Sequence, residues 1–495
     1  VGGLLLLGVA AAFLANRAGV PLLVAFLGIG MLLGSDGPGG IDFTDADLAR
    51  AAGVAGLVAI LFEGGLTTAW RDIRGVLGPA SILSTAGVGI TAALAGLVAY
   101  GLFDLPLTGG FLVGAVVAST DAAAVFATLR FTTLRRRLGG LLEAESGLND
   151  PTAVALTVGL IAWLGDPAYG VGDLTLLLVR QIGLGLAVGI GIGFLASRAF
   201  VRFPPALSAF APVASLGIAG LSYGVADAAE GSGFLAVYIV GLWLGNTATP
   251  LRRPLAAFHE GVAFVAQVVL FVVLGLLVFP SQLGAVVLPG LALAGALAVV
   301  ARPVAVWLCT LGQGFSGRER LFLSWAGLRG AVPIVLATFA LSEGVTQSNT
   351  IFNAVFFVVL VSATLQGPTL GPLARRLGLA GEAHALYQPP IEVGAVRGAD
   401  IVEYEVDAGD AVEGRRVREL GLPRTALVAV IVREAEALPP RGRTQVCAGD
   451  RLYVLVRAED RKAVEDRFGA WREGPLADGR PASPAPPASR EPPAL

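Results

Sequence analysis

The chain has 495 residues, 55% of them hydrophobic, with 35 basic and 37 acidic side chains for a net charge of -2. Soluble proteins hold about 45 to 50% apolar residues, so this composition excludes a soluble globular protein; a net charge so unevenly distributed says little about partners, and no nucleic acid is expected among them. Two cysteines and two histidines exclude a disulfide framework and an imidazole-built zinc centre.

Apolar runs of about 15 to 25 residues, the length that crosses a ~30 Å hydrocarbon layer, recur up to about residue 373. Thirteen are predicted, over residues 1–16, 19–35, 49–68, 78–103, 107–129, 138–164, 174–197, 207–226, 232–246, 256–279, 284–310, 319–342 and 348–373. Alternate loops carry arginines: Arg17; Arg71 and Arg74; Arg130 with Arg135, Arg136 and Arg137; Arg198 and Arg202; Arg252 and Arg253; Arg318 and Arg320; Arg375 and Arg376. The positive-inside rule places these in the cytoplasm. The intervening loops are acidic, with Arg50 the main exception. The N-terminus is then expected outside and the C-terminus inside a cytoplasmic membrane. Arg17 follows the first apolar run instead of preceding it, which reads as a span and not a cleaved signal.

An odd number of spans accommodates two six-span units of opposite orientation joined by the seventh, and polar motifs fall in spans five, six and twelve. Span three carries Phe62-Glu63-Gly64-Gly65-Leu66, in which Glu63 is a buried acid or a wet residue near the cytoplasmic end, and the glycines admit a close backbone neighbour. In span five, Ser119-Thr120-Asp121 interrupts an apolar run. Such an interruption signals an unwound helix whose freed carbonyls line a cavity, although Asp121 also fits as a cap on the following helical N-terminus.

Span six opens with Glu145-Ser146-Gly147-Leu148-Asn149-Asp150. Ser146, Asn149 and Asp150 share one helical face, and Glu145 stands beside Asn149. A charge at mid-bilayer costs about 2.5 to 3.5 kcal/mol on insertion scales, so these acids need a cation, a proton or an arginine. The simpler reading, a wetted helix start, is weakened by the distance of Asp150 from Arg137. In span twelve Arg329, flanked by Gly327, Gly330 and Pro333, needs an anion, with Glu145 and Asp121 as candidates, or else reaches the cytoplasmic interface. Arg302, before Pro303, repeats that argument in weaker form. Thr157-Val158-Gly159 lacks the tyrosine of a potassium filter, and the Gly185, Gly189 and Gly193 ridge reads as helix packing. The sole lysine, Lys462, follows no glycine-rich loop, so a nucleotide-driven pump is not expected.

After Leu377 the composition changes. Tyr387-Gln388-Pro389-Pro390 reads as a linker, and alternation around Val402, Tyr404 and Val406 with runs at 426–432 and 452–456 predicts strands of a small α+β domain. The segment from about Gly474 is rich in proline and alanine and is expected to be disordered. The division is thus a membrane domain at 1–380, a linker at 381–394, a cytosolic domain at 395–472 and a tail at 473–495.

These motifs, occurring in order, resemble the NhaP-like branch of the monovalent cation:proton antiporters over about residues 1–380. The resemblance implies an all-α polytopic protein of about thirteen helices in two inverted six-helix repeats with broken helices. It assigns proton and cation exchange to Asp150, with Thr120, Ser146 and Glu63 completing the cation shell, Asn149 steadying the broken helix beside Asp121, and Glu145 and Arg329 forming a structural ion pair. A homodimer is also implied, without cofactor, resident metal or catalytic residue. Ala122 stands where many sodium-handling relatives have proline, which argues against sodium selectivity. Residues 395–470 resemble the C-terminal lobe of regulator-of-potassium-conductance domains, implying potassium and a possible small regulatory ligand. Because burial disfavours the ionised carboxyl, proton and cation would exclude one another at Asp150, and Asn149 in place of a second acid implies one proton per cation. A regulated cation channel, a sodium-selective antiporter and a receptor without transport are the alternatives.

Overall fold

The computed structural model describes residues 2–18, 21–129, 134–166, 168–202, 209–247, 249, 251–380, 399–433 and 436–473. Arg130, the linker and the proline-rich tail lie outside the described residues. Two compact units are present, residues 1–384 and 385–495.

The first unit begins with α1 (Gly2–Ala18), α2 (Leu22–Leu33), α3 (Ala46–Thr67) and a single turn, α4 (Trp70–Ile73). Then α5 (Leu77–Ile82) continues through a π turn, Leu83–Gly87, into α6 (Val88–Leu102). The half-helices α7 (Leu107–Val116) and α8 (Ala122–Thr128) precede the long α9 (Arg136–Gly165), α10 (Val171–Val201), α11 (Ala211–Ala228), α12 (Gly233–Gly245) and α13 (Arg252–Leu276). A short α14 (Pro280–Leu283) leads to α15 (Val287–Ala296), which passes through a π turn, Leu297–Ala301, into α16 (Arg302–Cys309). The half-helices α17 (Gly317–Trp325) and α18 (Ala331–Ser342) follow, and α19 (Ser348–Val361) passes through a third π turn, Ser362–Gln366, into α20 (Gly367–Arg376).

Among the described residues each of the thirteen apolar runs contains helix, and the protein is a multi-pass membrane protein. Among the described residues seven continuous helices are long and apolar enough to cross a bilayer, while α2, α7, α12 and α18 are apolar but shorter. Large apolar side chains such as Phe13, Leu176, Leu195, Val213 and Val299 are exposed, as hydrocarbon solvent allows. Two kinds of irregularity recur seven spans apart, π turns in spans four and eleven and complete breaks in spans five and twelve, while the π turn of span thirteen has no counterpart in the continuous α9. The recurrence is the order two inverted six-span units require.

The irregularities have local causes. Pro303 offers no N–H to the carbonyl of Val299, and Pro368 none to that of Thr364. Both carbonyls fall inside π turns, where the wider i→i+5 pattern absorbs the missing bond. In the third case the hydroxyls of Ser84 and Thr85 donate to the Ser81 carbonyl at 3.2 and 2.6 Å, competing with the backbone ladder.

Glycine sets the closest helix contacts. A Cβ at Gly65 would collide with the Tyr238 carbonyl, and one at Gly241 with that of Phe62, so α3 and α12 meet backbone to backbone. The Gly185, Gly189 and Gly193 ridge of α10 lies against Ser232, Ala236 and Trp243, as the packing reading expects. Arg50, the exception among the acidic loops, leaves α3 to pair with Glu343 at 2.7 Å and sits 4.1 Å from the Phe339 ring centroid.

The second unit is an antiparallel four-stranded sheet in the order β1-β4-β2-β3, formed by β1 (Ala399–Glu405), β2 (Ala426–Arg433), β3 (Glu436–Leu438) and β4 (Arg451–Arg457), followed by α21 (Arg461–Glu473). Tyr404, Phe468 and Trp471 stack with centroids 4.8 to 5.0 Å apart. Gly449, at φ +85°, makes the turn that delivers the buried Asp450 to Arg433, 2.7 and 2.8 Å away.

Candidate functional site

The two broken spans meet at their breaks. The first break runs over 117–121 and the second over 326–330, and each leaves backbone groups without helical partners inside hydrocarbon, which must be satisfied from nearby. Asp121 N–H donates to the Leu328 carbonyl at 2.9 Å. The Arg329 guanidinium donates to the carbonyl of Ala118 at 2.6 Å and to that of Ser119, placing positive charge at the C-terminal end of α7, where the helix dipole favours it. The Asp121 carboxylate accepts from Ala124 N–H at 3.0 Å at the start of α8, so the helix cap and the unwound segment are both present. Gly330 admits the approach, since a Cβ there would strike the Asp121 carboxylate.

Helix α9 braces this crossing. Asn149 Nδ2 donates to Thr120 Oγ1 at 2.6 Å, and Ala122 N–H donates to Ser146 Oγ at 3.2 Å. Asn149 is thus hydrogen-bonded to the first break at the residue before Asp121.

The expected Glu145–Arg329 ion pair is corrected. Glu145 forms a two-pronged pair with Arg302, 2.5 Å from Nη1 and 2.9 Å from Nη2, with both residues nearly fully buried. The reason is geometric and chemical at once. The freed carbonyls of the first break take the Arg329 guanidinium, whereas Arg302, at the first position of α16 just past a π turn, presents its planar fork to the carboxylate. The weaker of the two sequence arguments therefore held the real partner.

A cavity of about 300 Å³ opens beside the crossing, lined by Glu63, Ser119, Thr120, Asp121, Ser146 and Asp150. Further lining comes from Glu143, Gly147, Tyr238 and Gln267. Asp150 is 6% exposed, and no ion pair or hydrogen bond engages its carboxylate among the described residues. The buried oxygens Ser119 Oγ and Asn149 Oδ1 likewise have no hydrogen-bond partner among the described residues. Oxygen groups of this kind suit a hard cation. All four residues expected in the cation shell, Asp150, Ser146, Thr120 and Glu63, border the one cavity. Glu143 and Tyr238 were missed, although Glu143 precedes Asp150 by seven residues, two helical turns, and that spacing is visible in the sequence.

Broken helices crossing beside an unpaired buried carboxylate define a secondary transporter of ions. Residues 3–376 match the family of the sodium/hydrogen exchanger, transmembrane, and residues 401–469 match the TrkA-C domain. The chain belongs to the sodium/hydrogen exchanger family. It is 40% identical over 458 residues to the K(+)/H(+) antiporter NhaP2 of Shewanella sp. (strain MR-4), spanning 92% of this chain and 80% of that protein. To the K(+)/H(+) antiporter NhaP of Alkalimonas amylolytica it is 37% identical over 93% of this chain and 81% of the relative. The Na(+)/H(+) antiporter ApNhaP of Aphanothece halophytica is 31% identical over 66% of this chain and 64% of its own length. The structure of the sodium proton antiporter MjNhaP1 from Methanocaldococcus jannaschii at pH 8 superposes with a TM-score of 0.69 at 26% identity, covering 76% of this chain and 97% of the other.

Proposed function

We propose that this protein exchanges a monovalent cation, potassium in preference to sodium, for protons, with the two competing for Asp150. One observation carries the reading: a carboxylate removed from water without a fixed partner must be neutralised by something mobile. A bound proton neutralises it, and so does a bound cation, but not both together. Glu63, Ser146, Thr120 and the orphaned Ser119 hydroxyl supply oxygen around the same cavity. Asp121 is committed to its helix cap and Glu145 to Arg302, which leaves Asp150 as the exchanging acid of the crossing and supports one proton per cation. Each unit of pH difference then contributes about 1.4 kcal/mol toward moving the cation.

Potassium is favoured because relatives named K(+)/H(+) antiporters share 37 to 40% identity over more than nine-tenths of this chain, and because of the TrkA-C match. The arginine-bearing loops support an N-terminus outside and a C-terminal domain on the cytoplasmic side of the cytoplasmic (inner) membrane. Residues 395–472 act as a regulatory lobe that binds a small ligand, and the working assembly is a homodimer that carries out transport without catalysis of a chemical reaction. Voltage-clamped proteoliposomes containing a pH indicator, supplied with each alkali cation in turn, test the reading. Coupled proton movement with potassium, insensitive to voltage and lost in Asp150→Asn, is the expected result. Uncoupled current, or exchange that survives Asp150→Asn, would overturn it.

A further inference from the structure

Among the described residues Glu143 is the one acid of the cavity wall to which neither the proposed cation shell nor the bracing of the crossing gives a role. It precedes Asp150 by seven residues on α9, so the two carboxyls lie on one face about 10 Å apart along the axis, and both line the cavity. Counted from Arg136, Glu143 lies about 10 Å into the helix and Asp150 about 20 Å, so Glu143 is nearer the arginine-bearing end. It is half-buried, yet no ion pair or hydrogen bond engages its carboxylate among the described residues.

Neighbouring arginines do not neutralise it. Arg136 pairs with Asp72. Arg137 donates to the carbonyls of Gly314 and Gln313 at 3.0 and 2.8 Å and lies 4.1 Å from the Phe315 ring centroid. Asp72, of like sign, lies within electrostatic reach of Glu143.

Between Glu143 and Asp150 stands Gly147, and Tyr238 of α12 occupies the space its missing side chain leaves, so that a Cβ there would fall 2.6 Å from the ring's ε carbons. Tyr238 is buried, its hydroxyl makes no well-formed hydrogen bond to any described residue, and it lies within electrostatic reach of both acids. The same cavity is thus lined by a half-buried and a buried carboxylate, neither engaged by an ion pair or hydrogen bond among the described residues, with the Tyr238 ring packed against the glycine between them.

We propose that Glu143 is an outer carboxylate station that holds the hydrated alkali cation at the arginine-bearing mouth before it passes Tyr238 to Asp150. This rests on Asp150 being the exchanging acid. The station gathers cations without taking part in the proton exchange, so its removal weakens apparent affinity and leaves turnover at saturation largely in place.

The test uses the full chain in proteoliposomes, with potassium concentration varied at fixed pH. Glu143→Gln is expected to raise KM for potassium about tenfold while the maximal rate falls by less, and Glu143→Asp, which keeps the charge, is expected to restore most of the affinity. An unchanged KM in Glu143→Gln, or a lowered maximal rate at unchanged KM, overturns the station. Asp150→Asn separates the two readings. If it abolishes exchange while Glu143→Gln leaves KM unaltered, only the station fails; if it retains exchange, the Asp150 reading on which the station rests fails.

Discussion

Glu145 and Asp150 sit five residues apart on α9, both withdrawn from water, and they meet opposite circumstances. Glu145 is gripped at two points by Arg302, whereas no fixed partner engages Asp150 among the described residues. Depth in the membrane therefore does not distinguish a bracing acid from an exchanging one. The available arginine does: a guanidinium that never loses its proton fixes its carboxylate permanently, and an acid left without one has to accept transient company.

That contrast can be broken by exchanging the circumstances of the two acids. The largest effect is expected from Asp150→Asn, which removes the competition and should abolish coupled transport while the protein still inserts and melts near the parent temperature. Arg302→Ala should do the reverse, destabilising the fold by about 3 to 5 kcal/mol because it strands Glu145 as a buried charge. Thermal unfolding in detergent checks it, and Glu145→Leu combined with Arg302→Met should recover much of the loss, since apolar replacements of buried ion pairs are often neutral.

A smaller loss, about 1 to 3 kcal/mol, is expected for Thr120→Val, which deprives the buried Asn149 amide of its acceptor. The same unfolding measurement applies, together with a fall in transport rate as the first break loosens. Smallest is the effect of Asp36→Asn, far from either acid. The Ser281 hydroxyl and backbone N–H donate to Asp36 at 2.5 and 3.1 Å, and these bonds hold its carboxyl below the usual carboxylate range. A lowered carboxyl contributes stability above its unfolded value and loses it as the pH falls through the folded one. The parent should thus melt slightly higher than Asp36→Asn at neutral pH, and the gap should close as the pH is lowered through about 4 and beyond.

Much of this was legible before the fold was seen. Ser119-Thr120-Asp121 marked the first break and the glycines around Arg329 the second, because polar or helix-breaking residues within hydrocarbon require a structural reason. The partner of Glu145 was not legible. Pairing depends on how α16 is rotated against α9, and α16 carries no charged side chain but Arg302, so its sequence does not say which neighbouring span that arginine faces. Glu143 escaped for a different reason: attention to the compact motif at 145–150 passed over a residue whose heptad spacing from Asp150 shows only when the helix is followed backward. The π turns at Pro303 and Pro368 were inferable from the prolines as places where the ladder must give way, but not their exact form.

Helix α9 is tied to the first break by Asn149 and to the start of α8 by Ser146, and to α16 by Glu145, while Arg329 ties the second break to the first. Sliding any of these segments past another would tear hydrogen bonds that hydrocarbon cannot replace. Any displacement that kept these bonds would carry the two breaks, α9 and the start of α16 together as one piece.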